Sequence, residues 1–382
     1  MDWTKKELER IQARGLFRSL KAIEQKSGTR IEICGKRLVN FCGNDYLGLA
    51  GDPRVKKAGA GAVKKWGTSA SASRLVSGNF SIHLELENLL AKFKGAETGL
   101  VFPSGYQANL GVIPALVGKG DLILSDEWNH SSLIDASRLS SATVKIFPHS
   151  DLSALKKMLA GAKPSQKKLI LVESIYSMDG DLAPLPEIVE LAEKFSATVY
   201  LDEAHSTGVL GKKGKGALEH FQISGKNLIL MGTLSKALAS QGGFVCVSKA
   251  MRDFLVNRAR SFIFSTGLNP SAVASALKAL EIIESEPERV AKLRGNIHFA
   301  RQELEKIGVA LGVDPTPIIP VILGDPDQTV SASKKLLVRG IFVQAIRPPS
   351  VPRSQSRLRI SLSAGHTRKE ISLLAKSLAE II

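Results

Sequence analysis

Apolar residues along this chain recur in two alternating kinds of run. Segments 53–66, 80–94, 104–117, 150–160 and 184–195 space them at helical intervals among charged positions. Interleaved with these are short, nearly continuous apolar runs that begin at Gly99, Asp121, Val144, Lys168, Thr198 and Asn227. Each is rich in Val, Ile and Leu and is bounded by turn residues. Such runs predict strands buried on both faces, and their alternation with helices predicts a mostly parallel sheet covered by helices. The fold class expected is therefore α/β. In such sheets ligands bind beyond the carboxyl ends of the strands.

The two ends of the chain follow a different pattern. Residues 4–25 predict an amphipathic helix, and Ile31 to Phe41 predict a β stretch broken at Cys34-Gly35-Lys36. Two long helical patterns, 268–285 and 288–307, are separated by Glu286-Pro287. Three short strand runs beginning at Ile318, Phe342 and Leu358 come next, then a last helix from about Thr367. The organisation predicted is an N-terminal helix and β arm over 1–45, a large domain over 46–285 and a smaller α+β domain over 286–382.

Composition narrows the partners. The chain has 382 residues, 44% hydrophobic and 23% charged, which excludes a disordered or fibrous protein. Lys plus Arg is 52 against 36 Asp plus Glu, a net charge of +16 that favours anionic partners. The basic residues are dispersed and no nucleic-acid module is recognisable, so no nucleic acid is expected. Cys34, Cys42 and Cys246 form no disulfide framework, and no Cys/His cluster has metal spacing. No apolar run is long enough for a membrane span, and the charged N-terminus lacks a signal-peptide core. The expectation is a cytoplasmic protein without metal or membrane.

The candidate chemistry gathers at strand ends. The run from Thr198 ends in Asp202-Glu203-Ala204-His205, and the run from Asn227 ends in Gly232-Thr233-Leu234-Ser235-Lys236. Their separation suits one strand–helix–strand crossover, which would bring Asp202 and Lys236 to neighbouring strand ends. A lysine that can form a Schiff base and a carboxylate that can hold a pyridine nitrogen protonated are the two groups pyridoxal phosphate requires. Taken singly, such a lysine is more often a solvated surface residue and such an aspartate a helix cap. Pro103-Ser104-Gly105-Tyr106 follows a strand and opens a helix, a place where free N–H groups can cradle a phosphate. A plain helix cap is the commoner meaning of that pattern. His130, after another strand, could stack on an aromatic ring or simply serve its loop. Gly211 and Gly216 have phosphate-loop spacing, but Ala217 follows where that motif has Lys.

In order along the chain, these residues resemble the α-oxoamine synthases, a branch of the fold type I pyridoxal-phosphate enzymes. The resemblance is carried by Asn44-Asp45-Tyr46-Leu47-Gly48, Ser73-Arg74-Leu75-Val76-Ser77-Gly78, Pro103 to Asn109, His130, Glu173 to Asp181, Asp202 to Gly208, Thr233 to Lys236, Phe264-Ser265-Thr266 and Arg357-Leu358-Arg359. It implies a pyridoxal 5'-phosphate cofactor bound through Lys236, with Asp202 on the ring nitrogen, His205 on the ring hydroxyl, His130 on the ring face and Ser177 beside it. Gly105, Tyr106 and Thr233 would face the phosphate. Ser265 and Thr266 would complete the phosphate site of a neighbouring subunit, which implies a homodimer. Asn44 and Arg359 would meet the amino-acid substrate, and Arg18 and Arg347 the acyl side. The stretch Ala345 to Pro352, with Ser350, is similar to the members that join L-alanine to a pimeloyl thioester in biotin synthesis. The donor would be a coenzyme A or carrier-protein thioester. A sister synthase joining glycine to another acyl-CoA is the alternative; a silent partner subunit would be expected to lack Lys236.

Overall fold

The computed structural model describes residues 2–14, 16–224 and 227–382. The chain divides into two compact units. One comprises 1–44, 178–180 and 292–382; the other comprises 45–177 and 181–291. The segment expected as a separate N-terminal arm thus shares a unit with the C-terminal segment. The second division falls inside the helix Glu288–Lys306.

The larger unit is built on a seven-stranded sheet. Its spatial order is Thr98–Phe102, Gly243–Val247, Leu228–Thr233, Thr198–Asp202, Lys168–Glu173, Leu122–Asp126 and Thr143–Phe147. Five of these pair in parallel; Gly243–Val247 runs antiparallel to both of its neighbours. The six predicted strands are all present, and Gly243–Val247 is the addition. Its apolar run follows Lys236 after a short loop rather than a helix, so the strand–helix alternation did not single it out. The central strands are buried along nearly their whole length, which is why they read as continuous apolar runs instead of alternating ones. Helices Gly105–Leu116, Ser131–Leu139, Leu152–Ala160 and Leu185–Lys194 follow individual strands. Leu100, Phe102, Val112, Ile113, Ile123, Leu171, Tyr200 and Val245 form one apolar cluster with no residual exposure. Each such side chain contributes roughly 1.5–3 kcal/mol of burial, which makes the strand ends a rigid base for the loops.

The smaller unit holds two sheets. One has the order Gln25–Ser27, Arg30–Ile33, Lys36–Asn40 and Ile341–Phe342; the other has Ile318–Gly324, Ser356–Ser361 and Gln344–Ile346. The break predicted at Cys34-Gly35-Lys36 is a two-residue hairpin turn in which Cys34 and Gly35 both have positive φ, 50° and 69°. That geometry matches the right-handed twist of the strands it joins. The helix expected over 4–25 is shorter, Asp2–Ala13; Gly15 lies outside the described residues. Gln25, the last residue of that expected helix, pairs instead with Glu32 of the strand Arg30–Ile33. Ser356–Ser361 is buried on both faces despite carrying Arg357 and Arg359. Arg357 resolves this by donating to Gln355 O and Gln355 Oε1, both at 2.9 Å, to Met178 O and to the Asp179 carboxylate. Among the described residues no helix is long and apolar enough to cross a membrane.

Candidate active site

The carboxyl ends of the parallel strands open into a cavity of about 260 Å³. Its walls include Ser104, Gly105, Tyr106, Asn109, His130, Ser132, Glu173, Asp202, His205, Thr233, Ser235 and Lys236. A larger apolar groove of about 510 Å³ lies by the opposite ends, lined in part by Leu169, Thr198 and Ile229. No carboxylate or imidazole lines that groove, so the chemistry belongs to the smaller cavity.

Strand register brings the acids there. Glu173 and Asp202 are directly paired on adjacent parallel strands, so their side chains share one face. Asp202 is buried; its Oδ1 accepts from the Ala204 N–H at 2.9 Å and its Oδ2 from Asn109 Nδ2 at 3.1 Å. Asn109 is locked in turn: its Oδ1 accepts from the Tyr200 hydroxyl at 2.7 Å and its Nδ2 also donates to Ser132 Oγ at 2.9 Å. Lys236 Nζ lies 2.7 Å from His205 Nε2, and His205 Nδ1 lies 2.6 Å from the Tyr46 hydroxyl. A hydrogen-bonded line, Tyr46–His205–Lys236, therefore ends at the reactive amine.

His130 caps the helix Ser131–Leu139, with Nδ1 at 2.8 Å from Ser132 Oγ. Its main-chain N–H donates to Glu173 Oε1 at 2.5 Å. Burial lowers the His130 pKa, opposed by the charge of Asp202 and reinforced by that of Lys236. Burial and then the neighbouring Asp202 charge push the Glu173 carboxyl well above the usual carboxylate range, toward its neutral form. The segment behind Asp202 is anchored from below by a fully buried ion pair, Lys94 Nζ to Glu203 Oε2 at 2.5 Å. Glu203 Oε1 also accepts from the Ala217 N–H at 2.7 Å.

The phosphate end is equally well defined. Ser104 caps the helix Gly105–Leu116 by accepting from the Gln107 N–H at 3.1 Å, leaving the first helical N–H groups at the cavity. A Cβ on Gly105 would meet Met231 Cε at 3.0 Å and Thr233 Oγ1 at 3.5 Å, so glycine keeps this cradle open. Thr233 and Ser235 add hydroxyls 3.1 Å apart. A helix N-terminus, two hydroxyls, an amine and a buried carboxylate around one cavity are a donor set that suits pyridoxal phosphate: Gly105, Thr233 and Ser235 would hold the phosphate, Lys236 would meet the carbonyl and Asp202 the ring nitrogen.

Of the other predicted residues, Tyr106 reaches the cavity and the rest do not line it. Tyr106 sits at the cavity rim with its hydroxyl on the Asp135 carboxylate. Ser177 is half-buried and is not among the residues lining the cavity. Ser265 is half-buried and Thr266 exposed, the latter bridged to Ser73; neither lines it. Asn44, Arg18, Arg347, Ser350 and Arg359 all belong to the smaller unit. There Arg18 Nη2 lies 3.4 Å from Ser350 Oγ, and Arg347 Nη2 donates to Phe17 O at 2.7 Å. Arg359 is buried and donates to Ser361 Oγ at 2.8 Å. Sequence reasoning gave no role to Asn109, Ser132, Tyr46 or Glu173. Tyr46, Glu173 and Asn109 all stood inside recognisable motifs, but nothing local showed that Asn109 would meet Asp202, 93 positions away.

Comparison with known proteins identifies the family. The profile of the family described as aminotransferase class I and II matches residues 36–378. An 8-amino-7-oxononanoate synthase from Thermoanaerobacter pseudethanolicus is 43% identical over 382 residues, covering 100% of this chain and 97% of the relative. A serine palmitoyltransferase from S. paucimobilis, solved with bound PLP and myriocin, superposes with a TM-score of 0.94 at 32% identity, covering 100% of this chain and 96% of that one. An 8-amino-7-oxononanoate synthase from Francisella tularensis superposes with a TM-score of 0.78 at 30% identity, over 90% of this chain and 97% of that one. Matched along most of its length by that profile and built around a cavity that suits the cofactor, this chain belongs to the aminotransferase class I and II family, as a pyridoxal-phosphate enzyme of fold type I.

Proposed function

We propose that this enzyme carries out the 8-amino-7-oxononanoate synthase reaction: L-alanine and a pimeloyl thioester combine, with loss of CO₂ and the free thiol, to give the amino-ketone. The observation that carries the reading is the convergence of Lys236, His205, Asp202 and His130 on one cavity, in a chain 43% identical over its full length to a protein of that name. When bound, pyridoxal phosphate supplies a carbonyl that condenses with the amino group of the substrate and a conjugated ring that accepts charge from its α-carbon. The rest is the protein's work. Lys236 Nζ, as a free amine, takes the α-proton of alanine and later returns one to the product carbon. His205, held by Tyr46, keeps a hydrogen-bonding nitrogen beside that amine. Asp202, held by Asn109 and the Ala204 N–H, keeps negative charge where the ring nitrogen binds. His130 forms a wall for the ring face, and burial of the cavity excludes water that would quench the carbon nucleophile.

Arg359 and Asn44 are the groups we assign to the alanine carboxylate, and Arg18, Arg347 and Ser350 to the acyl donor. Ser265 and Thr266 are assigned to the phosphate site of a second copy, so the active unit is a homodimer. The superposition on serine palmitoyltransferase favours a second reading, serine with a long-chain acyl thioester. Thiol release measured for alanine, glycine and serine against pimeloyl, acetyl and palmitoyl thioesters separates them. Preference for alanine with pimeloyl is expected. Preference for serine with palmitoyl, or glycine with acetyl, would reject the assignment and leave the cofactor site standing.

A further inference from the structure

We propose that His149 is a positioning residue for the cofactor cavity: its imidazole ties the turn that carries His130 to the loop that follows Glu173. Asp126 ends the strand Leu122–Asp126, and His130 lies on the turn just beyond it. Asp126 Oδ1 accepts from the Trp128 N–H at 2.9 Å and lies 3.0 Å from His149 Nδ1; its Oδ2 accepts from the Ser150 N–H at 2.9 Å. On the opposite edge of the ring, His149 Nε2 lies 2.7 Å from Asp181 Oδ2. Asp181 closes the loop after Glu173: its carbonyl accepts from the Tyr176 N–H at 3.0 Å, and Ile175 bridges Leu182 beside it. Trp128 stacks on the imidazole with centroids 3.8 Å apart, and Tyr176 meets it edge-on at 4.5 Å.

Both ring nitrogens thus face carboxylate oxygens, which only accept, so both must carry protons and the ring is an imidazolium. Burial alone would lower its pKa, but hydrogen bonds and charge from Asp126 and Asp181 outweigh that and raise it from 6.5 to about 9. The other titratable groups around it are the Tyr176 hydroxyl, kept protonated by burial and then by the Asp126 charge, and Glu173, held toward neutral. None of His149, Asp126, Trp128 and Asp181 lines the cavity. They act through the turn whose Asn129 donates to Ser125 Oγ and Leu171 O, both at 2.8 Å, and whose His130 N–H reaches Glu173. A folded pKa above the unfolded one means the clamp is fully present below about pH 6.5 and is released as pH rises through about 9.

This inference rests on His130 forming the wall against the cofactor ring. The test is titration of the apoenzyme with pyridoxal phosphate by fluorescence, together with visible circular dichroism of the holoenzyme, from pH 7 to 10.5. His149→Phe keeps the stack and removes both hydrogen bonds. It should raise Kd about tenfold at pH 7.5 and reduce the visible dichroism, and its ratio to wild type should fall toward one above pH 10. An unchanged Kd at pH 7.5, or a ratio independent of pH, would overturn the proposal. If His149→Phe does not fold, His149→Arg is measured: a wild-type Kd at pH 7.5 that holds to pH 10.5 supports the clamp, and a limb still at pH 9 overturns it. His130→Ala run alongside distinguishes the two failures, since a His130 variant with unchanged affinity removes the wall itself rather than its support.

Discussion

Replacing Asp202 with Asn tests whether charge or hydrogen bonding at that position matters to the reaction. The two oxygens of Asp202 accept from different donors, the Ala204 N–H at 2.9 Å and Asn109 Nδ2 at 3.1 Å. An asparagine amide nitrogen must take one of those places, so one buried donor loses its acceptor. Flipping Asn109 would offer its oxygen to the new amide and to the Ser132 hydroxyl, but it would take away the acceptor of the Tyr200 hydroxyl proton, so one buried donor stays unpaired either way. The unpaired donor costs about 1–3 kcal/mol, read as lost stability of the apoenzyme in urea. Exchanging a charged for a neutral partner at the ring nitrogen removes about another 1–2 kcal/mol. At tenfold per 1.36 kcal/mol, the loss of charge slows α-proton exchange of L-alanine about five- to thirtyfold, whereas the unpaired donor is read in stability and not in the exchange rate. The companion variant is Asn109→Asp with Asp202→Asn. There the new amide at 202 can donate to the new carboxylate at 109, so stability should return while exchange stays slow. Wild-type exchange in Asp202→Asn, or full recovery of exchange in the double variant, would refute the assignment of Asp202 as the charge at the ring nitrogen.

Three further outcomes follow from the same geometry. Borohydride reduction of the holoenzyme should fix the pyridoxyl group on the peptide containing Lys236 and leave Lys236→Ala unlabelled but folded; label on another lysine would contradict the site. Lys94→Met leaves the fully buried Glu203 carboxylate without its cation and should cost about 3–5 kcal/mol in urea unfolding, so a loss below about 1 kcal/mol would contradict an ionised pair there. Glu173→Gln keeps an acceptor for the His130 N–H and replaces a carboxyl that burial already holds toward neutral, so cofactor affinity and the pH–rate profile should change less than about threefold. A tenfold loss would show that Glu173 works as a carboxylate.

Much of this enzyme was legible in the linear order of its residues. The continuous apolar runs predicted six of the seven strands of the large sheet, because strands buried on both faces leave no room for alternation. Asp202 and Lys236 stood at ends of such runs, and the rule that ligands sit beyond the ends of parallel strands made them a pair on the sequence alone. Local chemistry was equally readable: Ser104 before Gly105 as a cap, and Cys34-Gly35-Lys36 as a break in a β stretch, which the structure shows to be a hairpin turn. What the tertiary structure alone decided are contacts between residues far apart in sequence. The bond from Asn109 to Asp202, the line from Tyr46 through His205 to Lys236, and the clamp of His149 between Asp126 and Asp181 each span loops whose closure no local pattern encodes. The antiparallel strand Gly243–Val247 and the short first helix have the same origin. Hydrophobic period sets which face of an element is buried. Partner choice is set by how those faces pack together, and packing energy overrides weak local preference.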